Sequence, residues 1–202
     1  MVLCGGRSSR MGADKARLEL DGRSLLEHAL AALDAVAAPV VLACGPSARY
    51  ADLGRALAPD RVADAGPLAG IEAGLAAVPS GYVCVLAVDL PRVRAAHLAR
   101  LLERAVADDL DACLARSASG PEPLCGVYHT RLLPRIRGLL DQGARKVTSV
   151  LDVPLAQHPL PRHAWLDDGL ADGAASNLNT PTDLETERAR RARIDSSRKA
   201  AS

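Results

Sequence analysis

The sequence predicts an α/β fold, with a mostly parallel central sheet and helices on both faces. Short apolar runs of strand character recur, most clearly Val40-Val41-Leu42-Ala43-Cys44 and Tyr82-Val83-Cys84-Val85-Leu86-Ala87-Val88. Stretches with helical periodicity, Leu25 to Val36, Gly70 to Val78 and Ala95 to Val106, lie between and after them. Strand, helix, strand repetition implies crossover connections, so helices cover both faces and the strands end along one edge. Ligands in such folds bind at that edge, near the point where strand order reverses.

The bulk properties agree with a globular chain. Its 202 residues suit one domain with at most an appendage, and 49% hydrophobic residues suffice for a core. Lys plus Arg number 25 against 24 Asp plus Glu. A net charge of +1 offers no general attraction for nucleic acid or an anionic membrane, so any anion site must be local. No apolar run reaches the ~20 residues a membrane helix needs, and the N-terminus does not read as a signal peptide. The cytoplasm is the expected compartment. The five cysteines, Cys4, Cys44, Cys84, Cys113 and Cys125, form no Cys-x-x-Cys pair and read as buried reduced thiols. His28, within the amphipathic run Leu25 to Leu30, reads as a helix-face residue.

The elements follow in order. Met1-Val2-Leu3 starts the first strand, and the loop Cys4 to Lys15 follows it. The turn Asp64-Ala65-Gly66-Pro67-Leu68-Ala69-Gly70 precedes a helix, and Asp89 ends the 82–88 strand, so topology brings Gly5, this turn and Asp89 together. Asp111 to Arg116 and Pro123 to His129 read as strands flanking a loop, with a helix from Arg131 to Leu140. Val153 to Gly173, with its prolines and the only Trp, Trp165, reads as loop and edge strand. Pro181 suits the first turn of a helix running through Arg191, with a solvated, frayed tail to Ser202. The expected organisation is one domain, 1–184, in two halves that meet at about 110, with a helical, then frayed tail over 185–202.

Two places carry chemistry. Glycine after a strand lets backbone N–H groups approach an anion, as phosphate loops require. Two familiar loop types are excluded: Gly12 is followed by Ala13-Asp14-Lys15 rather than Lys-Ser/Thr, and no Gly-x-Gly-x-x-Gly occurs between Leu3 and Gly22. Here side chains add the charge. Arg10 offers a planar fork to phosphate oxygens and Lys15 a mobile point charge. Asp89 stands where a strand leaves the sheet, suited either to a magnesium ion shared with substrate phosphates or to an N-cap or turn role before Leu90-Pro91.

Leu3-Cys4-Gly5-Gly6-Arg7-Ser8-Ser9-Arg10-Met11-Gly12-Ala13-Asp14-Lys15 resembles the signature of the MobA-like nucleotidyltransferases, and among them it is most similar to the molybdenum cofactor guanylyltransferases. Further landmarks occur in order: Gly22-Arg23-Ser24-Leu25-Leu26, Gly66-Pro67-Leu68-Ala69-Gly70, Asp89 with Pro91, Glu122-Pro123-Leu124, and Asn177-Leu178-Asn179-Thr180-Pro181. They span residues 2 to about 184. Two departures stand out: only two residues precede Leu3, which shortens the expected first strand, and Cys4 replaces the usual Ala.

The resemblance implies a three-layer, Rossmann-like nucleotidyltransferase fold and an enzyme that transfers GMP from GTP to the terminal phosphate of molybdopterin, releasing pyrophosphate, with magnesium. It implies that Leu3, Gly5, Gly6, Arg10 and Lys15 hold the triphosphate. Asp64, Gly66, Pro67, Leu68 and Gly70 would line the guanine pocket, Asp89 would bind the metal, and Asn177 and Asn179 would stand at the reacting end. Turn and helix-cap duty before Pro181 is the alternative for the two asparagines. Lys15, Arg10 and the metal at Asp89 would act on charge growing on pyrophosphate, with no covalent nucleophile needed. Expected partners are GTP, molybdopterin and, further, molybdoenzymes or cofactor-delivery proteins. The competing readings are a relative using CTP or another phosphorylated acceptor, and a noncatalytic nucleotide-binding or delivery module.

Overall fold

A computed structural model of the chain describes residues 1–5, 14–47, 49–117, 120–167 and 177–200. The central sheet has the strands β1 (Val2–Leu3), β4 (Leu42–Ala43), β5 (Tyr82–Ala87), β6 (Ala112–Ser117), β7 (Gly120–His129) and β8 (His163–Leu166). A separate hairpin joins β2 (Glu19–Leu20) to β3 (Arg23–Ser24). The sheet order is β4-β1-β5-β7-β6-β8. β7 runs antiparallel to both neighbours, and every other adjacent pair is parallel. The sheet is thus mostly parallel, as the strand-helix alternation predicts.

The helices are α1 (Leu25–Asp34), α2 (Pro67–Ala76), α3 (Ala95–Ala107), α4 (Leu133–Asp141), the single turn α5 (Ser149–Asp152) and α6 (Pro181–Ala200). α1 and α3 pack together on one face of the sheet, and α2 and α4 on the other. Ser24 caps α1: its Oγ accepts from Glu27 N at 3.2 Å while Glu27 Oε2 accepts from Ser24 N at 2.7 Å, a reciprocal capping box. α2 begins at Pro67, three residues before the Gly70 expected from periodicity, because Gly66 supplies the turn (φ 72°) and Pro67 pre-sets the first helical residue. Buried apolar residues from Met1 to Leu151, Leu20 and Leu25 excepted, share one continuous core. A satellite cluster of Leu20, Leu25, Leu178 and Leu184 joins the hairpin and α1 to the start of α6.

β8 is the edge strand expected in the proline-rich segment, and Arg116 lies over its Trp165 ring at 5.4 Å. All five cysteines are buried and free. His28 Nε2 lies 2.7 Å from Leu20 O, so this helix-face histidine also fastens the hairpin, an element that four alternating residues were too few to announce. No described helix is long and apolar enough to cross a membrane.

The largest difference from the sequence reading lies at the C-terminus. α6 runs to Ala200 where fraying is expected, and Glu187 on it is 1% exposed. Arg190, Arg191 and the distant Arg92 all bond its carboxylate. Burial opposes the charge, yet these three hydrogen-bonded guanidiniums hold the carboxyl down to about 2. The basic residues that look like a solvated tail therefore include partners for a buried acid.

β7 carries one irregularity. Leu114 pairs with Gly126 but Ala115 pairs with Glu122, so β7 bulges over 123–125, where Pro123 has no N–H to donate. The fully buried Tyr128 donates from its hydroxyl to Pro123 O at 2.6 Å and ties the bulge down. We expect Tyr128→Phe to lower unfolding free energy by about 0.5–1.5 kcal/mol in urea titrations, and an unchanged midpoint would show that the bulge needs no such anchor.

Candidate active site

The site lies where β1, β4 and β5 end. Leu3 O accepts from Val88 N at 3.2 Å, and Cys4 N and Gly5 N both donate to Ala43 O at 3.0 Å, so β1 sits between its neighbours to its last residue. A Cβ on Gly5 would stand 2.7 Å from Gly45 N and 3.0 Å from Cys44 C. Glycine is needed here for close approach of two backbones, and its N–H is already engaged. Gly6 and Arg10 lie outside the described residues. Cys4 is packed: burial, then the neighbouring Cys44, pushes its thiol up to about 12.

Asp14 organises the exit of the loop. It accepts from Ala16 N at 3.1 Å and so caps the short 3₁₀ turn Lys15–Arg17, and both its oxygens lie 2.8 Å from Tyr50 Oη. Tyr50 is 3% exposed, with Arg17 and Arg49 over its ring at 5.5 and 5.4 Å. Nothing in the sequence pattern singles out Tyr50.

Lys15 is the meeting point. Its Nζ lies 3.0 Å from Asp89 Oδ2 and 3.1 Å from Asn179 Oδ1. The Lys15 and Asp89 side chains are only 15% and 21% exposed. Asp89 Oδ1 is buried with no hydrogen-bond partner among the described residues. Asp89 does not cap α3, where Arg94 N instead donates to His97 Nδ1 at 3.0 Å. Nor do the asparagines cap α6: Thr180 N and Asn179 N donate to Asp183 Oδ2 at 2.7 and 2.8 Å, while Asp183 N donates to Thr180 Oγ1 at 3.2 Å. That leaves the Asn179 side chain for Lys15. Leu178 N donates to Asp89 O at 2.9 Å and pins the segment to the end of β5.

Asn177 Nδ2 lies 3.5 Å from Glu122 Oε2. The β7 bulge brings Glu122 beside Asp89: burial first, then the Asp89 charge, raises the Glu122 carboxyl above its ordinary value. The landmark Glu122-Pro123-Leu124 thus lies at the site, a placement that depends on the bulge.

The turn before α2 divides. Gly66 and Pro67 are exposed, whereas the side chain of Leu68 is fully buried in the core. A Cβ on Gly70 would stand 2.8 Å from Leu3 Cδ2, so Gly70 lets α2 approach β1. Asp64 is exposed in the left-handed region (φ 56°), and its carbonyl accepts from Arg145. Sequence reasoning missed Asp60. Its N–H donates to Gly45 O at 3.0 Å, its Oδ1 lies 3.8 Å from the position of a Gly70 Cβ, and that oxygen is buried without a hydrogen-bond partner among the described residues. Burial, then Glu72, raises its carboxyl. The available signal is a carboxylate three residues after Leu57, which bridges in parallel to Leu42 at the sheet edge.

This geometry fits the comparisons with known proteins. Residues 1–159 match the MobA-like NTP transferase domain. The chain belongs to that family. A Deinococcus radiodurans protein named "Probable molybdenum cofactor guanylyltransferase" is 35% identical over 183 residues, covering 91% of this chain and 90% of that protein. The molybdenum cofactor guanylyltransferase of Vibrio cholerae is 29% identical over 187 residues, covering 91% and 88%. Among solved structures, molybdopterin-guanine dinucleotide biosynthesis protein A from Archaeoglobus fulgidus superposes with a TM-score of 0.77 at 25% identity, covering 95% of this chain and 97% of that one. In this MobA-like chain the candidate machinery is a constellation of charges and carboxamides.

Gly5→Ala should lower the denaturation midpoint without any ligand present, by the equivalent of about 1–3 kcal/mol, because Gly45 N and Cys44 C are backbone atoms that cannot rotate away. A wild-type midpoint would mean that the β1 and β4 ends separate freely.

Proposed function

We propose that this MobA-like enzyme transfers GMP from GTP to the terminal phosphate of molybdopterin. An oxygen of that phosphate attacks the α-phosphorus, the bond to the β-phosphate oxygen breaks, and pyrophosphate leaves. The observation that carries this reading is the convergence of Lys15, Asp89 and Asn179 at the carboxyl end of β5. A reaction between two phosphorylated anions requires chiefly alignment and charge neutralisation, which a lysine, a carboxylate able to hold a cation and neutral carboxamides can provide.

The donor set suits a hard divalent cation, with magnesium as the expected ion. The buried, unpartnered Asp89 Oδ1 would hold it together with phosphate oxygens, a sharing usual for magnesium. When bound, the ion neutralises triphosphate charge and orients the leaving group. Lys15, released from Asp89 as phosphate arrives, follows the charge that grows on pyrophosphate. Arg10 and the Gly6 backbone would complete the triphosphate site, and Asn177 with Asn179 faces the acceptor phosphate. The half from about residue 111 to 184 contributes the acceptor side.

Asp60 reads the base. The guanine Watson–Crick edge offers two adjacent donors, N1–H and the 2-amino group, and a carboxylate accepts both. Cytosine offers one donor beside acceptors, which would leave one carboxylate oxygen facing a lone pair. Backbone groups of Gly66 and Pro67, and the glycine face of Gly45, would complete that pocket.

Both assignments are testable on purified protein with magnesium and molybdopterin. Lys15→Ala should reduce kcat by about 10²–10³-fold with a near wild-type denaturation midpoint. Asp60→Asn should raise the KM for GTP about tenfold or more, a change equal to one charged hydrogen bond. Wild-type kcat in the first variant would remove Lys15 from the chemistry, and unchanged GTP preference in the second would return base reading to the backbone alone.

A further inference from the structure

The buried Glu187 cluster connects to the site through two chain segments. From Asp89 the chain reaches Pro91, whose carbonyl accepts from Arg191 Nη2 at 2.9 Å, and Arg92, whose Nε donates to Glu187 Oε2 at 2.7 Å. From Asn179 the chain enters α6 and reaches Glu187 eight residues later, about 12 Å along the helix. Near the active site the same two segments are joined by the Leu178 N to Asp89 O bond. That bond and the cluster of Leu20, Leu25, Leu178 and Leu184 hold only the start of α6. The Glu187–Arg92 and Arg191–Pro91 contacts form a second attachment to the segment that follows Asp89, and two attachments fix an angle.

The remaining contacts of α6 lead elsewhere. Arg188 Nη2 donates to Glu19 O at 2.7 Å, and Arg191 Nη1 lies 2.7 Å from Asp21 Oδ2, both on the β2–β3 hairpin. The Glu187 cluster and its Arg191 neighbour supply hydrogen bonds from α6 to the Asp89 segment. Arg191 serves both, with Nε on Glu187 Oε1 at 2.9 Å.

We infer that Glu187 is a positioning residue: through Arg92 and Arg191 it sets the angle of α6 against the Asp89 segment, and thereby the placement of Asn179 against Lys15 and Asp89, the residue that would hold the cation the proposed reaction requires. This rests on the proposed function for the cation but not for the choice of nucleotide. It also makes residues 185–191 part of the working enzyme rather than an appendage. A buried carboxylate with several guanidiniums suits this duty better than apolar contacts would, because hydrogen bonds fix orientation whereas apolar contacts tolerate sliding.

The test uses the full-length protein, with Glu187→Gln and Arg191→Met made separately. The second variant keeps Glu187 paired to Arg92 and Arg190, so it folds even if the first does not. Two quantities are read at a temperature where circular dichroism shows the variant fully folded: hydrogen exchange at the Leu178 amide, and Mn²⁺ affinity by EPR titration without pterin but with the nucleotide that the wild type turns over, since the proposed site shares the cation with phosphate oxygens. Both variants should exchange Leu178 about tenfold or more faster and bind Mn²⁺ three- to tenfold more weakly, with kcat lowered more than the KM for GTP is raised. A lower melting temperature with wild-type Leu178 protection, or with wild-type Mn²⁺ affinity, would overturn the inference. A wild-type protein that binds no Mn²⁺ even with its nucleotide present would overturn it too, along with the cation reading, whereas selectivity for CTP would overturn only the base assignment.

Discussion

The ammonium group of Lys15 is the constraint on which the site depends. It bridges Asp89 and Asn179, which lie 74 and 164 residues away along the chain, and each arrives on a different kind of element. Lys15 comes on a 3₁₀ turn capped by Asp14, Asp89 on the end of a central strand, and Asn179 on the lead-in to a helix capped by Thr180 and Asp183. With one Nζ at about 3 Å from two oxygens, small shifts in any of the three would break the set. Much of the surrounding structure can be understood as holding those three arrivals steady.

That holding is done mostly by backbone and by close packing. β1 is two residues long, yet it pairs on both sides, and Gly5 and Gly70 bring the β4 end and α2 against it. The antiparallel β7, bulged at Pro123 and tied by Tyr128, carries Glu122 to the same edge. Reversing one strand in an otherwise parallel sheet therefore has a functional consequence: it lets a residue from the second half of the chain stand beside Asp89 without a long loop.

The fold was legible in the sequence because buried parallel strands read as continuous apolar runs, and 82–88 is such a run with a carboxylate at its end. Lys15, Asp89 and Asn179 were legible as chemistry in the landmarks around them, and the structure brings these three together. What stayed hidden shares one physical cause, dependence on tertiary contact. Gly5 and Gly70 also carry a packing role that no sequence pattern shows: the space a Cβ would need is already filled by Gly45 and Leu3. Asp60 lies between Pro59 and Arg61 and looks like an ordinary turn acid until its burial is known. Glu187, among six downstream cations, looks like one more solvated charge, because periodicity says nothing about Arg92 approaching from 95 residues away. The positions expected at Gly6 and Arg10 lie outside the described residues.

The central claim is that this constellation serves guanylyl transfer to a pterin phosphate. The most direct measurement is pyrophosphate release by the purified wild-type protein with magnesium, supplied separately with GTP, CTP, ATP and UTP, each with and without molybdopterin. Guanylyl transfer predicts release with GTP alone and only when molybdopterin is present. Release with CTP in place of GTP, or none from any nucleotide by folded protein, would contradict it.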